Sequence, residues 1–214
     1  MESTKTRILK KLLETDGYLS GQELCEQLGV SRTAVWKYMK QLKEEGYEIE
    51  AVQNKGYCLK DVPDVLGESE IKSRLHTRWA GQTLYYYDEI DSTNTQIKRL
   101  AEEDAPHGTL AVADYQSRGK GRRGRAWDSP HGSAIYMSIL FRPEIRPDRA
   151  SMLTLVIGLS VTQAIRSNLG LQAQIKWPND VVLNGKKLVG ILTEMSAQMN
   201  YIEYLVTGIG INAN

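Results

Sequence analysis

Apolar residues in the first sixty positions recur at the three-to-four-residue spacing of short amphipathic helices. The first group ends before Asp16-Gly17, and its members are Ile8, Leu9, Leu12 and Leu13. Ser20 opens a capping box that predicts the start of a second helix, and Gly29 ends that helix. Ser31 is placed to cap a third helix, which runs to Gly46. Two helices joined by a tight glycine turn have the spacing of a helix-turn-helix.

The predicted third helix is basic within an otherwise balanced segment. No acidic residue stands between positions 31 and 43, whereas the second helix carries Glu23 and Glu26. A helix that enters the DNA major groove needs cations for phosphates and short polar side chains near its N-terminus for base edges. The predicted DNA contacts are Ser31, Arg32, Thr33, Trp36, Lys37, Lys40 and, in a later turn, Lys55. The alternatives are a solvated basic face on a protein-interaction module and, for Trp36, packing, which is the more common use of such a residue.

Apolar and polar residues alternate from Tyr47 to Leu59 around the turn Asn54-Lys55-Gly56. This period-two pattern with a glycine turn predicts a β-hairpin, the wing of a winged helix-turn-helix. The segment Asp61-Val62-Pro63-Asp64 breaks the periodicity and predicts a linker. The expected DNA-binding domain therefore spans residues 1–62.

A second domain is expected from residue 67 to residue 214, where strand and helix patterns mix. Alternating or continuous apolar runs predict strands at 83–90, 109–115, 134–141, 175–183, 190–195 and 201–211. Helical spacing covers 93–103 and 152–169. This order predicts an α+β fold in which a mixed sheet carries helices on one face.

Composition limits the partners of both domains. The 27 basic and 26 acidic side chains give a net charge of +1, so affinity for a polyanion has to come from local clusters. Two cysteines, Cys25 and Cys58, are too few for a disulfide framework and fit a reducing compartment. The N-terminus lacks the apolar stretch of a signal peptide, and no apolar run approaches the roughly 20 residues of a membrane span. We therefore expect a cytoplasmic protein without a membrane partner.

The segment from Gln116 to Arg125 combines three glycines with five cations and no acid. Glycines let backbone N–H groups approach an anion closely, and the cations neutralise phosphate or carboxylate. The motif is not a phosphate-binding Walker loop, because the GxxxxGK[ST] pattern is absent. RNA binding is an alternative for such a segment, but its position between two predicted strands favours a lid over a small ligand.

Three further motifs carry polar groups suited to anion chemistry. The sequence KWPND (176–180) places a cation, an amide and a carboxylate in one turn, and NGKKLVG (184–190) predicts a hairpin with Lys187 just inside its second strand. The sequence GIGIN (208–212) is a strand with two glycines, which predicts close approach of a ligand or another backbone. Taken singly, each motif also fits an ordinary polar loop, a solvated lysine or a plain strand.

In kind and order, these motifs resemble those of the bacterial bifunctional biotin–protein ligases, which are also repressors of the biotin operon. The matching segments are STN (92–94), GKGR (119–122), KWPND, GKKLVGIL (185–192) and GIGIN. The resemblance covers nearly the whole chain, including the helix-turn-helix, and implies a catalytic domain like that of class II synthetases. It implies biotin, ATP and Mg²⁺ as ligands, and formation of biotinyl-5′-AMP. Transfer of biotin to a lysine of a biotin carboxyl carrier protein, or of another biotin-acceptor domain, follows. It further implies a homodimer that binds operator DNA.

The resemblance also assigns roles to residues. It implies that Lys187, Arg122 and Lys120 are catalytic and that Asp180 lies near Mg²⁺. The residues that it places against biotin or the adenylate are Ser92, Thr93, Asn94, Gln116, Lys120, Gly121, Arg122, Trp127, Lys176, Asn179, Asp180, Lys187, Gly190 and Asn212. The family usually has GRGR where this chain has GKGR, so Lys120 keeps the charge but loses the bidentate fork of arginine.

Members of the family continue beyond the strand that ends this chain, so the catalytic domain is expected to be incomplete at its C-terminus. Two other functions therefore stay open. One is a biotin-sensing DNA-binding repressor with little or no ligase activity because of that truncation. The other is a lipoate or octanoate transferase, since that class shares the fold, although the basic loop and KWPND favour biotin.

Overall fold

Serine caps begin each of the first three helices, which are α1 (Thr4–Glu14), α2 (Gly21–Leu28) and α3 (Arg32–Glu44). The Ser3, Ser20 and Ser31 hydroxyls accept hydrogen bonds from backbone N–H groups in the first turn of each helix. Such caps satisfy donors that have no partner within the helix. The computed structural model describes residues 3–213, so the predicted domain limits at residues 1 and 214 lie outside the described residues.

A two-stranded sheet follows the helices. Strands β1 (Glu48–Val52) and β2 (Gly56–Asp61) pair antiparallel. Gly56 has a φ of 111°, and a Cβ there would lie 2.2 Å from the carbonyl oxygen of Leu19. Only glycine fits this turn, because the chain before α2 pairs with the start of β2. The predicted hairpin of a winged helix-turn-helix is therefore present.

Helix α4 (Glu68–Arg74), which the sequence pattern does not predict, packs against α1. The Tyr47 hydroxyl donates a 2.7 Å hydrogen bond to Glu70 in this helix. The structure accordingly divides the chain into two units between His76 and Thr77. The sequence pattern places the boundary between residues 62 and 67. The two boundaries differ because α4 and the chain around it belong to the first unit.

The second unit is built on one seven-stranded sheet with the strand order β3-β4-β5-β9-β8-β7-β6. The strands are β3 (Leu84–Ile90), β4 (Leu110–Gln116), β5 (Ala134–Phe141), β6 (Gln174–Lys176), β7 (Asp180–Leu183), β8 (Lys186–Ala197) and β9 (Ile202–Asn212). Only the β3–β4 pair of this sheet is parallel. The α+β mixed sheet is confirmed. The single strand predicted over 175–183 is wrong, because a turn at residues 177–179 divides it, and Pro178 has no N–H for a ladder.

The two long helices of this unit lie on opposite faces of the sheet, so the expectation of helices on one face is wrong. Helix α5 (Thr93–Glu102) buries Ile97 against Leu140 and Val206. Helix α6 (Ala150–Leu169) packs on the other face, where Leu205 and Ile191 point. Successive residues of a strand face opposite sides, so neighbours such as 205 and 206 serve different helices. The apolar run of β9 reflects burial on both faces.

Helix α6 is also longer and more apolar than the sequence analysis allowed. The stretch Pro147–Leu169 has the length and composition of a membrane span, with a mean hydropathy of 1.2 over an 18-residue window, but the core helix of a folded domain can have the same properties. Its inner face packs on the sheet through Gly158, Thr162 and Ile165. Outward residues such as Met152 and Val156 are more than half exposed.

Candidate functional site

A cleft of about 440 Å³ opens on the α5 face of the sheet, beside the connection from β4 to β5. Most residues that the sequence predicted for ligand binding line it. These are Ser92, Thr93, Asn94, Gln116, Lys120, Gly121, Arg122, Trp127, Asn179, Asp180, Lys187 and Gly190. They come from α5, β4, the basic loop, the turn before β7, and β8, so the fold joins motifs that lie far apart in the sequence.

Two predicted residues lie outside the lining of the cleft. Lys176 is at the exposed end of the outermost strand, β6. Asn212 donates a 3.1 Å hydrogen bond to the backbone oxygen of Lys187, so it holds the strand that carries the lysine. The sequence analysis also missed lining residues. Among them are Arg123, Arg125, Ala126, Tyr136, Met137, Ile191, Leu192 and Ile209. Of these residues, only the two arginines could have been identified from the sequence, by their charge.

Lys187 meets two of the other predicted residues. The β7–β8 hairpin places its Nζ 2.7 Å from Oδ1 of Asp180 and 5.0 Å from the centroid of the Trp127 ring. The Asp180 oxygen is buried, and within residues 3–213 no donor reaches it with good hydrogen-bond geometry, so its contact with the ammonium is mainly electrostatic. Lys186 is exposed and outside the cleft lining. The ammonium of Lys187 therefore lies between a carboxylate and an aromatic face.

Two of the glycines seat the Trp127 ring on the sheet. Gly190 and Gly210 are paired across β8 and β9, and a Cβ on either would lie under 3 Å from that ring. The sequence predicted close approach of a ligand or a backbone at GIGIN, but the group that approaches is a side chain. Trp127 Nε1 is buried without a hydrogen-bond partner among the described residues. Such a donor is costly to leave unpaired, and it borders the cleft.

The basic loop folds back on itself at the rim of the cleft. A bridge joins Lys120 to Ala126, and the N–H of Gly121 donates to the carbonyl of Arg125 at 2.7 Å. The Lys120 ammonium donates to Thr95 Oγ1 at 3.1 Å, which ties the loop to α5. A Cβ on Gly119 would lie 2.3 Å from the carbonyl oxygen of Trp127, so the base of the loop requires glycine there.

The charge of the cleft is positive. The cations on its wall are Lys120, Arg122, Arg123, Arg125 and Lys187, and the carboxylate among the lining residues is that of Asp180. Cations gathered around a partly enclosed space create a potential that attracts anions. No group of three or more metal-binding side chains occurs in the part of the chain that the structure describes. The arrangement therefore suits a polyanionic ligand, with Asp180 as the carboxylate available to a cation that accompanies it.

The first unit presents a second surface, between α3 and the β1–β2 turn. Arg32 and Lys55 line this groove with Gln22, and the Arg32 guanidinium donates to Gln22 at 2.7 Å. Trp36 is 60% exposed, so packing in a core does not explain it. The basic helix and the turn thus form one face on which Trp36 is free to contact a partner.

Family comparisons match both units. The model of the biotin/lipoate A/B protein ligase family matches residues 86–212, and a helix-turn-helix domain model matches residues 4–58. The two matched regions cover the cleft and the groove.

Relatives that carry both functions in their names match over most of this chain. A bifunctional ligase/repressor BirA from Bacillus spizizenii is 47% identical over 216 residues, covering 100% of this chain and 66% of its own length. The Escherichia coli protein of the same name is 36% identical over 202 residues, covering 94% of this chain and 61% of its own length. The chain thus spans just under two thirds of the length of these relatives.

Solved structures match the second unit. A biotin protein ligase from Aquifex aeolicus in complex with biotin and ATP aligns with a TM-score of 0.51 and 38% identity, over 62% of this chain and 53% of that one. A biotin protein ligase from Leishmania major in complex with biotinyl-5-AMP aligns with a TM-score of 0.53 and 25% identity, over 61% of this chain and 57% of that one.

Proposed function

This chain belongs to the biotin/lipoate A/B protein ligase family, and we propose that it activates biotin with ATP to biotinyl-5′-AMP and passes biotin to a lysine of a carrier protein. The observation that carries the proposal is the cationic cleft. Lys187, Arg122 and Lys120 converge there on space beside a buried carboxylate oxygen. A relative from Paracoccus denitrificans, 37% identical over 124 residues, is named a biotin–[acetyl-CoA-carboxylase] ligase.

The first step brings two anions together. A carboxylate oxygen of biotin attacks the α-phosphorus of ATP, the bond from that phosphorus to the bridging oxygen breaks, and pyrophosphate leaves. Fixed cations are the means by which a protein stabilises the charge that builds up in such a step. Lys187 and Arg122, which line the cleft, would take this role, and the bond from Lys120 to Thr95 would help to hold the loop over the ligand.

Mg²⁺ fits the site in the manner common for nucleotide enzymes, in which one or two carboxylates and the phosphates hold the ion. Asp180 would supply the protein oxygen, because it is the carboxylate among the lining residues, although its Oδ1 is already 2.7 Å from the Lys187 ammonium. The ion would neutralise triphosphate charge and orient the leaving pyrophosphate.

The polar end of the cleft suits a cyclic urea. The ureido ring of biotin has one carbonyl acceptor and two N–H donors, and Ser92, Thr93 and Gln116 offer hydroxyl and amide groups on the cleft wall. An acyl adenylate hydrolyses readily in water, so the loop from Gly119 to Trp127 has a second task as a cover. In the second step the neutral amine of the acceptor lysine attacks the acyl carbonyl, and AMP leaves.

Biotin is favoured over lipoate because lipoate has no ureido group to match these polar side chains. The experiment is incubation of the chain with MgATP and either acid, followed by detection of the acyl adenylate. Biotinyl-5′-AMP is expected, and lipoyl adenylate is not. A chain that binds biotin but forms no adenylate would support the alternative of a biotin-sensing repressor with little or no ligase activity.

The first unit supports a second function, repression of a biotin operon by a homodimer bound to operator DNA. The observation is the face formed by α3 and the wing, with Ser31, Arg32, Thr33, Trp36, Lys37, Lys40 and Lys55 as the proposed contacts. One small winged helix buries little DNA surface alone, and paired half-sites multiply its affinity. The substrates and the free cysteines fit a cytoplasmic protein.

Replacement of Arg32 by alanine should weaken operator binding by about 1–3 kcal/mol if the guanidinium reads a base. Arg32 opens α3 beside the groove, and Gln22 orients its guanidinium. A gel shift at fixed salt measures the change. Lys43→Ala, which removes the same charge from the last turn of the same helix, serves as the control. Equal losses in the two variants would mean that α3 acts through charge alone, and no loss in Arg32→Ala would exclude it as a reader.

A further inference from the structure

A chain of hydrogen bonds, buried at Ser138 and partly exposed at Lys98 and Glu194, lies at the polar end of the cleft and joins four elements of the second unit. It begins at Lys98 and Glu194, whose ammonium and carboxylate are 2.6 Å apart. The other carboxylate oxygen of Glu194 accepts from Nδ2 of Asn94 at 2.8 Å. The chain continues through Ser138 and Thr93, both almost fully buried, to Gln116.

The carboxylate fixes the orientation of the Asn94 amide and, through it, the preferred acceptor for the Ser138 proton. A carboxylate can only accept, so the Asn94 amide must turn its NH₂ toward Glu194 and its oxygen toward Ser138. The one proton of Ser138 lies between that oxygen, at 2.6 Å, and Thr93 Oγ1, at 2.7 Å, so drawing it to the amide oxygen leaves a lone pair on Thr93 unused. The Thr93 hydroxyl itself donates to Gln116 Oε1 at 3.1 Å. The backbone N–H of Thr93 donates to the Gln116 side-chain oxygen at 2.9 Å, which turns the Gln116 NH₂ toward Ser129.

The Asn94 amide is used up inside the protein. Its NH₂ donates to Glu194 and to the Leu192 carbonyl, and its oxygen accepts from Ser138. It is also packed against Gly208 and is only 4% exposed. Asn94 lines the cleft, and with its N–H groups engaged by the protein it shapes the site mainly through its neighbours.

We propose that Glu194 is a positioning residue for the ureido-binding end of the cleft, because its carboxylate sets, through Asn94 and Ser138, whether the Thr93 hydroxyl oxygen keeps a lone pair for a ligand. The proposal rests on the function proposed above for the choice of ligand. Burial alone would raise the pKa of Glu194, but the bonds from Lys98 and Asn94 outweigh it and hold the pKa below its usual value. The acceptor is thus permanently charged near neutral pH, and the orientation of the Asn94 amide is fixed.

The obvious alternative is that Glu194 matters only as half of an ion pair. Exchange of the two residues, in Lys98→Glu/Glu194→Lys, keeps the pair but presents a donor to Asn94. The amide must then turn its NH₂ toward Ser138, so Ser138 gives its proton to Thr93 alone, and the Thr93 oxygen loses a lone pair that a ligand would use. Glu194→Gln keeps an acceptor for Asn94 and removes the ion pair. The two variants therefore separate positioning from ion pairing.

The test is calorimetric titration of each variant with biotin, together with its thermal midpoint. The exchanged variant should lose about tenfold or more in affinity, the effect of one unmatched buried hydrogen bond, with a midpoint near that of the parent. Glu194→Gln should bind within a few fold of the parent. The reverse order, with the exchanged variant binding normally and Glu194→Gln failing, would overturn the proposal.

A ligand-free measurement keeps this test separate from the proposed function. The Asn94 NH₂ signal in a ¹H–¹⁵N spectrum should be protected from solvent exchange in the parent and in Glu194→Gln, and shifted in the exchanged variant. If the signal moves as expected but the parent does not bind biotin, positioning by Glu194 stands and the proposed ligand is wrong. An unchanged signal in the exchanged variant refutes the positioning role whatever the ligand.

Discussion

Replacement of Lys187 by alanine is expected to slow biotin-dependent pyrophosphate release by about 10²–10³-fold, the usual cost of removing one charge-stabilising donor from an active site. Its ammonium is 2.7 Å from Asp180 and over the Trp127 ring, in the wall of the cleft. The side chain is 42% exposed, so its expected weight comes from its position against the bound anions and not from burial. Without this ammonium, the repulsion between the biotin carboxylate and the triphosphate is no longer offset by the central positive charge.

Lys186 is the matched control, because it is the neighbouring lysine of the same hairpin and lies outside the cleft lining. Lys186→Ala should stay within about twofold of the parent, since a solvated charge outside the cleft contributes little. The measurement is the initial rate of pyrophosphate release with saturating MgATP and varied biotin. Damage from Lys186→Ala with none from Lys187→Ala would show that the hairpin is out of register by one residue.

Gly208→Ala should both destabilise the second unit and weaken biotin binding. A Cβ at this position would lie 2.2 Å from Oδ1 of Asn94 and 2.9 Å from its Cγ. Strand β9 is held on both sides by β5 and β8, so the backbone has little room to move. Forcing an atom into such a packed site costs about 1–3 kcal/mol. Asn94 can yield only by breaking its bonds to Glu194 and Ser138, so biotin affinity should fall as well.

Gly158→Ala is the control for that substitution. A Cβ on Gly158 would lie 3.7 Å from Ile191, an ordinary contact, and alanine stabilises a helix interior by about 0.5–1 kcal/mol relative to glycine. Scanning calorimetry should therefore show a lower unfolding midpoint for Gly208→Ala and an equal or higher one for Gly158→Ala. If Gly208→Ala changes neither the unfolding midpoint nor the biotin affinity, the Asn94 side chain can move aside without losing its hydrogen bonds, and the expectation is wrong.

Local patterns predicted the elements whose causes are local. Serine caps, glycine stops and period-two alternation placed the three helices and the wing, because each depends on bonds within a few residues. Helix α4 escaped prediction since it is short and polar and is held by α1 and Tyr47, which are distant in sequence. The opposite placement of α5 and α6 was missed for a similar reason. It depends on which face of β9 each helix covers, and β9 is apolar on both.

The motifs located the site, but they did not show which of its residues contact one another. Charge and glycine content identified the basic loop, and Lys187 was predicted in the hairpin that carries it. The partners of GIGIN could not be read from the pattern, because a glycine shows that something comes close and not what it is. Asn94 at Gly208 and Trp127 at Gly210 appear only when the sheet is assembled. The part played by Glu194 likewise depends on β8 lying beside α5.

The most direct test of the proposed ligase is the mass of the complex that forms when the purified chain is incubated with biotin and MgATP and then desalted. The cleft with its cations should retain one biotinyl-5′-AMP per chain, and the adduct should be absent when biotin, ATP or Mg²⁺ is omitted. It should also be absent from Lys187→Ala and present in Lys186→Ala. A parent chain that keeps its fold but shows no adduct under any of these conditions, and releases no pyrophosphate, would contradict the account.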